Sequence, residues 1–590
     1  FFQLTVPPIN TKALSFLSAV AGEALTKHLN KVLPALLSAL SDALDTPEEQ
    51  QELEYCQAVV LSVQDDLGVR TIIDYLLEAA RNGSTSHRRA AVALLSIFCS
   101  NSKANYSTHV SQLLRGLIHL FTDNNPHVLN LSCEALNSVT KTLDTAGQLQ
   151  HVADVRQAVR FAASDLKGQD LLPGFCLPKG ISPILPIFRE AILNGQPEMK
   201  EQAAQGLGEV IKLTSPDGLK ASVIQITGPL IRILGDRFAW SVKVAVLETL
   251  ALLLEKVGIM LKPFLPQLQT TFLKALGDGN RQVRLRAASA LRHLIAIHTR
   301  CDPLFTELHN SVKNADDTLR ETMLHALRCV VISAGDKMSN TIRQGVTNTV
   351  VGMLGHHHEV CRVTASGCLG ALCKWLPEDE LTTVVREHLL DDDTSQDWML
   401  RHGRSISLMV ALKEAPEKFT DLDWTERVTK TLISYLTADR LQIADSGVRA
   451  TGYFLRHLLA TNSSIPQLLL VTFSKCMNHS INEVKQVVAL TSTYLAKTRD
   501  QLLPPQVLKV LVPLLVNGTK EKNSIVKANS EYALVAILKL RFGEEAQQEC
   551  VRLLDPGARD ALVDVIHKVL RKVSSQPESK EENLDTTLLL

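Results

Sequence analysis

The chain has 590 residues, of which 45% are apolar, 21% charged and 5% aromatic. Its 62 basic residues balance 62 acidic ones, so no chain-wide field exists to hold nucleic acid or a membrane surface, and only a local patch could do so. No run reaches the roughly 18 apolar residues of a bilayer span, and so few aromatics suit helix packing by Leu, Ala and Val better than a sheet core.

The chain opens FFQLTVPP, without Met and without the charged segment of a signal peptide, and reads as a stretch from within a longer protein. Apolar periodicity of about 3.6 then predicts paired helices over 32–63, 68–100 and 109–143. Their turns carry breakers: Asp45-Thr46-Pro47, Asn82-Gly83-Ser84 and Asp123-Asn124-Asn125-Pro126. A lone helix follows at 151–166. The segment KGQDLLPGFCLPKGIS (167–182) has two prolines and three glycines in sixteen residues, so it is expected to interrupt the pattern. Pairs resume at 183–214, 223–258, 261–298, 301–339, 342–379, 381–419, 424–463, 464–498 and 502–543, with a last pair near 544–573. Pro183, Pro186, Pro229, Pro263, Pro266, Pro504 and Pro505 read as first-turn prolines, and Pro513 as an interior kink. The tail, 574–590, is acidic and is expected to be disordered.

A basic residue recurs near the start of each second helix: Lys200, Lys243, Arg284, Arg320, Arg362, Arg401, Arg449, Lys485 and Lys527. The steps are 43, 41, 36, 42, 39, 48, 36 and 42 residues, the period of two-helix HEAT-type repeats. A single such hairpin cannot bury its apolar side, so the repeats must stack. The fold class is therefore all-α, a HEAT/armadillo-type α-solenoid or superhelix of helical hairpins. Repeats are expected over 1–166 and, more regularly, over 183–573. The recurring base is expected to pair with acids or helix-end carbonyls of the adjacent repeat.

Eleven cysteines, no CxxC and an odd count point to reduced, buried thiols and a reducing compartment. The chain lacks a phosphate-cradling loop, a nucleophile elbow and an H-E-x-x-H motif, which argues against an enzyme. No cofactor is expected. His356, His357, His358 and Cys361 are metal-ligating types, but consecutive histidines on a turn should diverge, so no metal site is expected. Asp391, Asp392, Asp393 and Asp397 lack calcium-loop spacing and read as an acidic helix start.

Two surfaces remain. Arg281, Arg284 and Arg292 fall near one helix face and could meet phosphates of RNA or the ribosome, although the Arg284 position favours the ladder. In GPLIRILGDRFAWSVK (228–243), Arg232 and Arg237 stand beside Phe238 and Trp240. Arginine beside aromatics anchors protein interfaces. The other reading, equally supported at this point, has the aromatics plugging the corner between helices and Arg237 merely solvated.

ITGPLIRILGDRF, KPFLPQLQTTFLKALGD and VRLRAASALRHLI, within 226–295, resemble the C-terminal region of the general control non-derepressible protein one family, and the likeness extends along the chain. The resemblance implies a cytoplasmic scaffold that binds the RWD domain of the amino-acid-starvation kinase and promotes its activation on stalled or collided ribosomes. It implies further RWD-domain partners, including regulators of developmentally regulated GTPases, and ribosome contacts made mostly by segments upstream. It also implies one arginine essential for kinase binding, carried here to Arg237 first and Arg232 second. A transport receptor on the same architecture is the rival reading. Against it, Trp240, Trp375, Trp398 and Trp424 have no Asn four residues on and are not expected at matching repeat positions.

Overall fold

The computed structural model describes residues 2–166, 168–234, 237–390, 397–419, 422–497 and 503–539, together with 552, 556, 559, 560, 562 and 563. The described residues are helical or in turns, and none is in a strand. The chain divides into two compact units, residues 1–298 and 299–590.

Each hairpin pairs a first helix with a second, and the second helices pack on one another in three runs. In the first unit they are α1 (Glu49–Leu61), α2 (Thr85–Asn101), α3 (Pro126–Lys141), α4 (Pro197–Lys212), α5 (Trp240–Val257) and α6 (Arg281–Ala296). In the second they are α7 (Asp317–Ala334), α8 (Glu359–Leu372), α9 (Trp398–Glu414), α10 (Leu441–Ala460), α11 (Asn482–Ala496) and α12 (Ser524–Lys539). Within each unit α1 packs on α2 and α2 on α3, α4 to α6 form a second run, and α7 to α12 a third. The array is thus an α-solenoid, each hairpin covering the apolar side of the next.

Small residues let the second helices approach closely. A Cβ added to Gly370 on α8 would lie 2.7 Å from the Ser407 carbonyl oxygen on α9. Ser407 Oγ donates to the Ser366 carbonyl at 3.0 Å, and Thr249 Oγ1 donates to the Ala204 carbonyl at 2.7 Å. Hydroxyls that satisfy themselves on a neighbouring backbone can be buried without penalty.

The run of second helices is broken between α3 and α4. Here α3 meets the short turn Pro173–Cys176, while helix Val152–Ser164 packs between Val110–His119 and α4. Part of this glycine-rich stretch is core. Leu172, Phe175 and Ile181 are buried, Phe175 stands edge-on to Phe121 at 5.7 Å, and Leu172 N–H donates to the Leu213 carbonyl at 2.9 Å.

Two local expectations need correction. A helix absent from the sequence reading, Thr11–Ala21, opens the chain, capped by Asn10, whose side chain accepts from Ala13 N–H at 2.9 Å. Pro229 lies inside helix Val223–Ile233, and Pro263 inside the 3-10 helix Gly258–Phe264, rather than in a first turn. Pro34 and Pro513 are likewise interior. Asp397 caps α9, accepting from Met399 N–H at 2.9 Å, whereas Asp391, Asp392 and Asp393, the pair 544–573 and the tail lie outside the described residues apart from the few named above.

Candidate functional site: an exposed arginine–tryptophan corner

The recurring bases have two jobs, only one of which matches the expectation. Lys243 donates to Asp278 at 2.7 Å, Arg401 to Ser434 Oγ at 2.5 Å and Lys485 to Glu521 at 3.0 Å, all in the next hairpin. Arg88 extends this series with Asp123 at 2.8 Å. By contrast Lys200, Arg284 and Arg320 turn back on their own hairpin, Arg362 does so while its Nε also donates to His402 on α9 at 3.3 Å, and Arg449 pairs with Asp445 on its own helix at 2.8 Å. Lys200 Nζ meets the Ile192 and Leu193 carbonyls at 3.0 and 2.7 Å, and Arg320 meets those of Val312 and Ala315 at 3.1 and 2.5 Å. These are the unpaired carbonyls that end each first helix. The correction is that a base here closes its own hairpin as often as it ties to the next.

Arg284 is therefore unavailable to a phosphate. It is buried, and its guanidinium donates to the Asp278 carbonyl at 3.0 Å. Arg281 and Arg292 remain exposed, eleven residues apart and thus on one helix face. Arg286, to the side, pairs with Glu248 at 2.8 Å.

The corner between Val223–Ile233 and α5 is built differently. The first helix buries Val223, Ile226, Leu230 and Ile233 and leaves Ile224, Gly228 and Arg232 exposed, one stripe at four-residue spacing. Arg237 is exposed in the turn. Among the described residues neither arginine has a carboxylate at ion-pair distance. Phe238 is half-buried under Lys200, whose Nζ stands 5.5 Å from the ring centroid. Trp240, the first residue of α5, is 53% exposed. Of the two aromatics only Phe238 acts as the corner plug, and Trp240 joins Arg232, Arg237 and Ile224 on the surface. One turn further along α5, Lys243 meets Asp278 of the next hairpin: burial would raise that carboxyl, but Lys243, the Asn280 backbone and Arg284 outweigh it and hold it below its ordinary 3.8.

One further cluster bears on chemistry. Ser111, His151 and Asp154 meet beside an open groove of about 1070 Å³ in the first unit. Ser111 Oγ donates directly to Asp154 at 2.7 Å, and the same His151 nitrogen, Nδ1, faces both residues at 3.4 and 3.0 Å. A relay needs the base between nucleophile and acid, on opposite nitrogens. This is a structural knot, tied by Arg115 to Asp154 at 2.8 Å.

Stacked two-helix repeats with an exposed basic–aromatic corner define a HEAT-repeat α-solenoid, a class that works by presenting surface. The family follows from two matches described as stalled ribosome sensor GCN1-like HEAT repeats, over residues 2–179 and 302–588. The chain belongs to that family. It is 48% identical over 589 residues to the human "Stalled ribosome sensor GCN1", covering 99% of this chain and 22% of that protein. It is 34% identical to "Protein ILITYHIA" of Arabidopsis thaliana, covering 92% of this chain and 20% of that protein. Against "eIF-2-alpha kinase activator GCN1" of Saccharomyces cerevisiae the identity is 30%, covering 77% of this chain and 17% of that protein. The chain thus spans about a fifth of the length of these curated relatives. Among solved structures, yeast importin-beta (Kap95p) is similar at TM-score 0.41 and 14% identity, covering 98% of this chain and 76% of that one. The candidate corner lies in 180–301, between the two family matches. No helix among the described residues is long and apolar enough to cross a membrane.

Proposed function

We propose that this chain is a cytoplasmic docking scaffold, without chemistry of its own, that binds the RWD domain of the amino-acid-starvation kinase and promotes its activation on stalled or collided ribosomes. The docking surface is the corner formed by Arg232, Arg237, Phe238 and Trp240, in the repeats that follow residue 183. The observation that carries this reading is two exposed arginines, without carboxylate partners among the described residues, flanking a half-exposed tryptophan. An arginine fork next to an aromatic plane suits a carboxylate-bearing protein surface. Holding the kinase there raises its effective concentration at the ribosome. Other RWD-domain proteins, regulators of developmentally regulated GTPases among them, compete for the same corner.

Titration of the purified RWD domain tests it. Arg237→Glu is expected to weaken binding at least tenfold, about 1.4 kcal/mol, with helical circular dichroism unchanged. Unchanged affinity in the Arg232→Glu/Arg237→Glu double variant places the interface elsewhere. A second reading, contact with ribosomal RNA, is favoured by the exposed pair Arg281 and Arg292 on one face. It predicts affinity that falls steeply with salt and is lost on replacing those two residues.

A further inference from the structure

The histidines of the turn before α8 do not diverge as expected. His356 and His357 stack at 4.5 Å between ring centroids, and both Nε2 atoms face Asp317, the first residue of α7. His356 Nε2 lies 3.7 Å from Asp317 Oδ1, and His357 Nε2 3.3 Å from Oδ2. Cys361, in the first turn of α8, is fully buried with Sγ 3.3 Å from the Asp317 backbone carbonyl. One ligand atom each from Asp317, His356 and Cys361 falls within 4.8 Å of the other two. The expectation failed because Asp317 comes from the preceding hairpin, 39 residues before His356 in the chain, and turns both rings the same way.

We propose that this turn is a zinc site, with Asp317, His356 and Cys361 as ligands and the fourth position on the solvent side. Carboxylate, imidazole and thiolate are all zinc donors, and bonds of about 2.0–2.3 Å in a tetrahedron place ligand atoms roughly 3.3–3.8 Å apart. Of the ligand pairs, His356 Nε2 and Asp317 Oδ1 stand 3.7 Å apart, already at that spacing. The charges also match: one carboxylate and one thiolate neutralise the dication. The surrounding bonds fix two of the ligands. Arg320 donates to Asp317 Oδ1 at 2.5 Å and fixes the carboxylate, and Arg362 donates to the His356 carbonyl at 2.8 Å. Binding releases the Cys361 thiol proton to solvent. Ligation through Nε2 moves the His356 proton to Nδ1, which gives up the 3.2 Å bond it accepts from His358 N–H. The ion then staples two successive hairpins through atoms that are otherwise joined only by weak contacts. The fourth position lies on the side of His357, whose side chain is 78% exposed and whose Nε2 already stands 3.3 Å from Asp317 Oδ2.

Cobalt(II) titration of the purified chain, followed by zinc competition, tests the site. The wild type is expected to take up one cobalt with thiolate-to-cobalt charge-transfer absorption and tetrahedral ligand-field bands, both lost on adding zinc. Cys361→Ala should abolish the charge-transfer band, and His356→Ala should weaken uptake at least tenfold. Cys373→Ala, a fully buried thiol on the same hairpin, should leave both signals intact. Zinc should raise the melting temperature of the wild type and not that of His356→Ala. A wild type without thiolate absorption overturns the proposal. So does a band that survives Cys361→Ala, or an equal zinc-induced shift in His356→Ala.

Discussion

The helices α5 in the first unit and α9 in the second begin alike, with tryptophan at the first position and a base three residues on: Trp240 with Lys243, Trp398 with Arg401. The expectation that the tryptophans fall at unrelated positions is wrong for this pair. Their surroundings are opposite. Trp398 is half-buried between Arg362, 5.2 Å from the ring centroid, and Arg440, at 4.8 Å, with His402 stacked at 6.4 Å. The place of Arg362 beside α5 is held by Lys200, which turns to Phe238 and the carbonyls of its own first helix. The place of Arg440, the N-cap position of the following second helix, is held by Asn280, which caps α6 by accepting from Gln282 N–H at 2.8 Å. One tryptophan is thus structural and the other is presented, and residues about 40 positions to either side decide which. A repeat protein can make a binding site by omitting two neighbours as readily as by adding a residue.

The largest expected effect falls on the structural side. Among the described residues Arg362 is the largest fully buried side chain, 1% exposed, and it donates to the His356 carbonyl at 2.8 Å. Arg362→Ala removes a stacking partner and strands buried carbonyls, so it is expected to destabilise by about 3–5 kcal/mol. Lys200→Ala should cost less, about 1–2 kcal/mol, because its Nζ bonds two carbonyls of its own first helix and stands over one half-buried ring, Phe238, where Arg362 is fully enclosed. Chemical denaturation followed by hydrogen exchange in α4 and α8 separates the two. Equal losses would mean that the two positions do the same work.

Acid should divide the regions next. His402 is 2% exposed beside Arg362, and burial with that cation pushes its pKa down from 6.5 to about 4. The unfolded chain takes up this proton near pH 6.5 and the folded chain does not until about pH 4. Stability is therefore complete above pH 6.5, falls as the pH drops through that window, and has lost about 3 kcal/mol by pH 4. The matching position on α5 is Val244, which does not titrate. There the relevant group is Asp278, whose depressed carboxyl supplies stability that is lost only as the pH falls below 3.8. Melting temperature against pH for the wild type and His402→Gln checks this: the variant should lose most of the slope between pH 6.5 and 4.

Truncating the tryptophans themselves comes third. Trp398→Ala is expected to cost about 2 kcal/mol, below the range for a fully buried ring because this one is half-buried. Trp240→Ala should cost less than about 0.5 kcal/mol and appear instead as weaker RWD binding in the same titration. A Trp240→Ala chain as unstable as Trp398→Ala would show that the exposed ring is structural after all.

The limits of sequence reading follow the same geometry. The repeat period, the hairpins and the breakers at Asp45, Asn82 and Asp123 were legible because 3.6-residue periodicity and turn chemistry are local. What escaped was set by distant neighbours. Phe175 is core because Phe121 lies across from it, and Arg284 is buried because the Asp278 carbonyl takes its guanidinium. His356 and His357 converge because Asp317 belongs to another hairpin. At the candidate corner the residue types were visible in the sequence. The division of labour between Phe238 and Trp240 was not, because it depends on where Lys200 points.

The smallest effect is the most direct test of that account. If Trp240 is exposed for want of the arginine that covers Trp398, then Asn280→Arg should supply it. The new guanidinium would stand where Arg440 stands beside α9, and a cation over an indole face at a partly exposed site is worth about 0.5–1 kcal/mol. Against this, the Asn280 cap on Gln282 N–H is lost, at about 1 kcal/mol, so net stability should barely change. Binding should respond where stability does not. The covering arginine competes with the partner for the Trp240 face, and RWD affinity is expected to fall by about two- to fivefold, the same 0.5–1 kcal/mol read as binding. Asn280→Ala, which loses the cap without supplying the cation, should leave affinity unchanged. A fall of similar size in both variants would trace the effect to the α6 terminus and would remove the neighbour rule as the reason Trp240 is presented.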